Sequence, residues 1–228
     1  MPRQSGPGRQ CRRGFQGIWF PLLFLLWLFL LWFLGGMAAN NRVRIGGGEW
    51  RSRLLSFPDI PGLRPTPDRV RQTLFNWLGQ ELHGLNCLDL FSGTGVLGFE
   101  ALSRGAASVV MVEKSLSAYK ALLENKALLK TDAAQLFHME AAQYLSRRPS
   151  LSSYTEIPFD IVFLDPPYNQ GLLAGSLSGL KPYLNAESLV YAEAEYALVS
   201  DEEWQVLKQG KAGNVFYHLL RPTFSSQL

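Results

Sequence analysis

Cysteine is nearly missing from this 228-residue chain: Cys11 and Cys87 are its only two, which speaks against a disulfide framework or a cysteine metal site. Cys87 stands in an apolar run, the setting of a buried thiol in a strand, so a reducing compartment is the default. Histidine is as sparse. His83, His138 and His218 are scattered without ligand spacing, and they read as surface or core residues; no metal is expected. No internal repeat is present, and no Asp or Glu occurs before residue 37.

That last gap makes the net charge of +3 misleading. Of the 22 Lys and Arg, Arg3, Arg9, Arg12 and Arg13 precede Met37, so 18 basic residues face all 19 acids in the body of the chain, which is near neutral. The length suits one domain with a sizeable core. Residues 1–36 form a basic and hydrophobic leader. Its seventeen uncharged residues from Ile18 to Leu34, behind a basic flank with Arg12-Arg13, have the chemistry of a membrane or export signal. Met37 stands where a cytoplasmic chain could begin, and the residues after it make a short polar entry into a basic segment. The expectation is therefore that the leader is no part of the working protein, that the functional chain starts at Met37, and that it is cytoplasmic.

Residues 37–66 read as a basic hairpin and loop. Two short apolar-basic runs flank Gly46-Gly47-Gly48, and the proline-rich stretch Ile60 to Pro67 excludes regular structure. Arg42, Arg44, Arg51, Arg53, Arg64, Arg69 and Arg71 face only Glu49, Asp59 and Asp68 there, an excess suited to nucleic-acid phosphates. Thr66 is expected as an N-cap and Pro67 as the first residue of a helix reaching Leu82. From residue 67 onward a single domain is expected. Strands near 87–91, 108–113, 134–138, 159–164 and 188–193 alternate with helices, the clearest of them from Ser115 to Leu129, with Leu116, Tyr119, Leu122, Leu123 and Lys126 to Leu129 as its packing side. Two further strands around Gly210 and Gly213 would add an antiparallel edge to a parallel sheet.

Two motifs carry chemistry. In the first, Cys87 to Phe91 reads as a strand ending in Asp89, and Gly93, Gly95 and Gly98 form a turn into a helix. The spacing also satisfies a dinucleotide fingerprint, with Glu113 where a ribose-binding acid belongs. Asp89 would repel a pyrophosphate, whereas it would attract the ammonium and sulfonium of S-adenosylmethionine. In the second, Asp165-Pro166-Pro167-Tyr168 follows an apolar strand, so both motifs should share one cleft at the strand ends. The prolines stiffen the turn and remove donors. That leaves Asp165 and the carbonyls to accept hydrogen bonds from an exocyclic amine, and Tyr168 as a face for an extruded base.

Together with Gly62-Leu63-Arg64-Pro65-Thr66-Pro67-Asp68-Arg69-Val70-Arg71, these motifs resemble the bacterial 16S ribosomal RNA guanine-N2 methyltransferase family from about Arg42 onward. The resemblance implies a Rossmann-like class I methyltransferase fold: an α/β, mostly parallel seven-stranded sheet with an antiparallel C-terminal hairpin and helices on both faces. It implies S-adenosylmethionine as donor, with Asp89, Phe91, Gly93 and Gly95 at its methionine end and Glu113 on the ribose. Glu140 falls where relatives carry Asn or Asp near the adenine. It also implies 16S rRNA in an assembling small subunit as partner, and a monomeric enzyme. An adenine-N6 or other amino methyltransferase on DNA or RNA uses the same Asp-Pro-Pro-Tyr chemistry, although so short a chain leaves no room for a separate target-recognition domain. A membrane-anchored nucleotide-binding module rests only on residues 18–34.

Overall fold

The computed structural model describes residues 41–147 and 158–224. The apolar leader and the start expected at Met37 lie outside the described residues. Among the described residues, no helix is long and apolar enough to cross a membrane.

Two strands come first, β1 (Asn41–Arg44) and β2 (Leu54–Phe57), paired antiparallel with Val43 opposite Leu55. Helix α1 (Asp68–Leu78) follows, then β3 (Asn86–Asp89), α2 (Val96–Ser103), β4 (Ser108–Glu113), α3 (Leu116–Leu129), β5 (Ala134–His138) and α4 (Ala141–Leu145). The second half contains β6 (Ile161–Leu164), α5 (Leu172–Leu180), a short 3₁₀ turn, β7 (Leu189–Ala194), β8 (Trp204–Ala212) and β9 (Val215–Pro222). The main sheet runs β5-β4-β3-β6-β7-β9-β8, with the first five strands parallel and β9 antiparallel to both its neighbours. A register shift between Val206 and Lys208 interrupts the β8–β9 ladder.

Alternation along the strands sends side chains to opposite faces. Cys87, Val109, Met111, Ile161, Phe163 and Tyr191 pack with α1, α2, α3 and the β1–β2 hairpin, while Leu88, Val110, Val112, Val162, Leu164 and Val190 pack with α4 and α5. Both faces are covered, which is why the central strands read as unbroken apolar runs.

The hairpin shares this core through Val43, Ile45, Leu55 and Phe57. Its free edge is satisfied by a side chain: the Asn125 amide on α3 donates to the Ser56 carbonyl at 2.8 Å and accepts from the Ser56 N–H at 3.0 Å. This corrects the expected packing side of α3. Ala118, Leu122, Asn125 and Leu129 face inward, and Leu116, Leu123 and Leu128 are exposed. Ser115 caps that helix, accepting from the Ala118 N–H.

Every residue of α2 is buried, between the sheet and the hairpin's connecting loop, so its polar groups must find partners inside. Glu100 does so most fully. One oxygen accepts from Arg71 Nε at 3.3 Å and the Gly46 N–H at 3.1 Å, and the other accepts from Arg104 Nη2 at 2.8 Å. Arg71 also donates to the carbonyls of Thr66 and Arg44, each at 2.7 Å, and pairs with Asp68 at 2.8 Å. Arg71 is thus only 2% exposed and cannot meet an RNA phosphate, which corrects its expected role. Counting charges along a sequence does not reveal which guanidinium is used inside.

Three boundaries differ from expectation. Helix α1 starts at Asp68 behind Pro67, without a side-chain cap, because Thr66 is buried and turned toward the cleft. It stops at Leu78 rather than Leu82, although Leu82 is still buried. Of the two glycines expected in the last hairpin's turn, only Gly213 lies in it. Gly210 stays in β8 opposite Tyr217, whose ring lies where a Cβ would be.

Glu100→Gln places an amide NH₂ against two buried guanidiniums. The expected loss is about 3–5 kcal/mol of unfolding free energy, read from the urea midpoint at unchanged m-value.

Candidate active site

Strand order reverses between β3 and β6: the chain leaves β3 toward β4 and β5, then returns to place β6 on its other side. A crevice at the carboxyl ends is the usual result. Asp89 is opposite Phe163 in this pairing, and the Leu90 N–H donates to the Phe163 carbonyl, so the first motif lies beside Asp165. The crevice has a volume of about 1280 Å³, and its walls include Asp89, Phe91, Gly93, Glu113, Glu140 and Asp165 to Tyr168. Gly95, the N-cap of α2, is not among the wall residues.

The glycine turn is locally enforced. Gly95 has a φ of 76° and donates to the Ser92 carbonyl at 2.6 Å; a Cβ there would collide with Leu122. The Ser92 hydroxyl donates to the Asp89 carbonyl at 2.8 Å, and the Gly98 N–H donates to Asp89 Oδ2 at 3.1 Å. That single donor is too little for a carboxylate that is 3% exposed. Burial pushes Asp89 up to about 7, against the Gly98 amide and with some help from Glu113.

Glu113 ends β4 with both oxygens held. Oε2 accepts from the Gly93 N–H at 2.8 Å and Oε1 from the Ser115 N–H at 2.6 Å, leaving further lone pairs for hydroxyl groups. Glu140 is exposed on the wall and precedes α4. Leu63, from the proline-rich loop, touches Gly93, so that loop roofs the glycine turn.

At the opposite side, Pro166 is buried and Tyr168 is 41% exposed. Asp165 keeps part of its surface open to the cleft yet is held well above the usual carboxylate range. Burial is the main cause, then Glu193 and Asp89, with the Thr66 side chain working the other way. Glu193 and Thr66 are the residues that sequence reasoning missed here. A charged residue within the otherwise apolar run Leu189 to Ala194 was the available signal for Glu193. Thr66 reads in the sequence only as a helix cap.

The cleft therefore gathers Asp89, Glu113, Asp165 and Glu193, and none of the four forms an ion pair among the described residues. Such an assembly favours a ligand with positive charge. The described residues contain no group of three or more His, Cys, Asp or Glu able to hold a metal ion. Arg42, Arg44, Arg51, Arg53, Arg64 and Arg69 are exposed, and Arg64 stands on the cleft wall. Arg51 borders a second, polar concavity of about 720 Å³ beside Gly46 to Gly48 and Arg104. Of the loop amides there, that of Gly46 is spent on Glu100, those of Glu49 and Trp50 on Ser103, and that of Arg51 on the Gly48 carbonyl.

A family model described as conserved hypothetical protein 95 matches residues 43–221. The ribosomal RNA small subunit methyltransferase D of Escherichia coli K12 is 39% identical over 187 residues, 80% of this chain and 91% of that protein. The protein of that name from Haemophilus influenzae is also 39% identical, over 79% of this chain and 94% of its own length. Among solved structures, a putative methyltransferase from Escherichia coli superposes with a TM-score of 0.69 at 38% identity, covering 80% of this chain and 98% of that one. The chain belongs to the conserved hypothetical protein 95 family, which includes these small-subunit ribosomal RNA methyltransferases.

Proposed function

We infer that this protein transfers a methyl group to the exocyclic N2 amine of a guanine in small-subunit ribosomal RNA, with S-adenosylmethionine as donor. The observation that carries the reading is the pairing of β3 with β6, which brings Asp89 and the Asp165-Pro166-Pro167-Tyr168 turn to one cleft lined by unpaired carboxylates. The relatives' names supply the RNA.

The residues fit the donor. Asp89 is a buried carboxylate short of partners, as a cationic amino-acid end requires, and Phe91, Gly93 and Gly95 shape the wall and turn beside it. Glu113 is pre-oriented by two amides to accept ribose hydroxyls, and Glu140 on the cleft wall is assigned to the adenine by the family resemblance. When bound, S-adenosylmethionine supplies a methyl group on a positively charged sulfur. Asp165 accepts N–H from the target amine, which draws the nitrogen lone pair out of ring conjugation, and it then takes up the proton that N2 sheds. Pro166 and Pro167 keep the turn rigid, and Tyr168 offers its ring to the extruded base. Rate comes from alignment and a preformed polar cage, without a nucleophilic side chain.

The exposed arginines Arg42, Arg44, Arg51, Arg53, Arg64 and Arg69 grip phosphates of rRNA in an assembling small subunit, in the cytoplasm. One chain supplies all four carboxylates, so a monomer suffices. Mass spectrometry of rRNA nucleosides from a deletion strain tests the reading. Loss of N2-methylguanosine, restored by the gene, is expected; loss of N6-methyladenosine instead would move the reaction to adenine.

Asp165→Ala is expected to lose about two or more orders of magnitude in kcat while calorimetry shows unchanged affinity for S-adenosylmethionine. Paired replacement of Arg51 and Arg53 by Gln should weaken RNA binding and flatten its salt dependence, because fewer counterions are released; filter binding across a salt series measures both.

Asp89 gives a pH signature. Its pKa is raised from the ordinary carboxylate value to about 7 in the folded chain, so the folded state binds the extra proton, and this contribution to stability is lost as pH rises through about 7. A cationic ligand lowers that pKa and expels the proton. Near neutral pH, the calorimetric enthalpy of S-adenosylmethionine binding should vary with the buffer's ionisation enthalpy, and Asp89→Asn should reduce that variation.

A further inference from the structure

Glu193 stands near the target side of the cleft, on β7 between Ala192 and Ala194, and is 4% exposed. A carboxylate in such a place needs hydrogen bonds to be tolerated. Its two oxygens serve different rings. Oε1 accepts from the hydroxyl of Tyr191, which is fully buried, at 2.7 Å, and Oε2 accepts from the hydroxyl of Tyr168, at the cleft mouth, at 3.2 Å. Two residues on, Glu195 accepts from the Asn169 N–H, so the loop after the two prolines is tied twice to the end of one strand.

We propose that Glu193 is a positioning residue of the target-base pocket, holding the Tyr168 ring by its hydroxyl and sharing the pocket's negative charge with Asp165. The proposal rests on the methyltransferase reading above for what Tyr168 and Asp165 do to a base.

The sharing follows from the surroundings. The groups facing the two acids are Thr66 from the loop before α1, Asp89 at the end of β3, Tyr168 from the turn itself and Tyr191 on β7, while Glu195 just beyond β7 acts on Tyr168. None is a cation. From β9, Tyr217 is opposite Glu193 and His218 opposite Ala192. Burial lowers the pKa of His218; its Nδ1–H donates to the Ala192 carbonyl at 3.4 Å and its Nε2 accepts from the Leu198 N–H at 3.0 Å, so it is neutral.

Two carboxyls in one poorly solvated site ionise as a pair. Burial raises both, but two tyrosine hydroxyls favour the charged form of Glu193, whereas Asp165 is raised further by Glu193 itself. With two tyrosine donors on Glu193 and none of that kind on Asp165, the shared proton is favoured on Asp165 over Glu193. A protonated Asp165 is a poorer acceptor for an amine, so the pocket becomes competent as that proton leaves.

The test combines a titration with kinetics. The carboxyl carbon-13 resonance of Asp165, assigned by its loss in Asp165→Asn, is followed against pH in the full chain with and without the Glu193→Gln change. Removing the like charge should lower the Asp165 midpoint by about one pH unit, and the acid limb of kcat should move the same way. Glu193→Asp keeps the charge but shortens the reach to Tyr168. It should leave the Asp165 midpoint raised while KM for undermethylated small-subunit particles rises several-fold.

A single cooperative thermal unfolding transition, read by circular dichroism, serves as the folding control for both variants. An unmoved Asp165 midpoint in Glu193→Gln would overturn the shared charge, and an unchanged KM in Glu193→Asp would overturn the hold on Tyr168. If Glu193→Gln does not fold, Glu193→Asp decides the proposal by its KM. A parent protein that methylates no RNA would defeat the function proposed above, and the carboxyl titration would still decide whether Glu193 governs Asp165.

Discussion

Carboxylates brought together out of reach of water and of counter-charge resist being there, and much of the molecule can be understood as holding them in place. Asp89 is offered one amide, Glu113 two, and Glu193 two tyrosine hydroxyls. The cleft stores an unfavourable interaction that a positively charged ligand relieves, which is how a site can be selective before any ligand arrives.

The buried arginine network is the other half of that arrangement. Glu100 lies between Arg71 and Arg104, and Arg71 in turn holds the carbonyls of Arg44 and Thr66. The hairpin, α1 and α2 are joined through one side chain, and the Thr66 carbonyl is pinned while its side chain faces Asp165. An ion-pair cluster on the far face of the sheet therefore sets the loop that borders the acidic cleft. Its contribution lies in fixing geometry, since buried ion pairs give little net stability over well-packed apolar residues.

What was legible in the sequence was local. The acid at the end of an apolar run, the glycine turn and the paired prolines each mark a strand end by backbone chemistry alone, and Asp89, Glu113 and Asp165 stand at such ends. Parallel order followed from alternation, and the antiparallel edge from a hairpin too short for a crossover. Partnerships across the chain were not legible. Arg71 looked like its exposed neighbours until Glu100, far along the chain, was folded against it. Leu116 and Leu123 have the spacing of a packing stripe, yet α3 turns Asn125 inward because the edge of β2 needs an amide. Glu193 became meaningful only when Tyr168 and Tyr191 arrived on either side of it.

The irregularity in β8 has a consequence for the molecule's behaviour in a crowded solution. A nine-residue strand at the rim of a sheet offers a row of free amides and carbonyls that another chain could extend into an aggregate. The shift between Val206 and Lys208 breaks the regular spacing of that row, and Lys208 and Lys211 place charge along it. Both features make β8, the last strand of the sheet among the described residues, a poor template for an eighth.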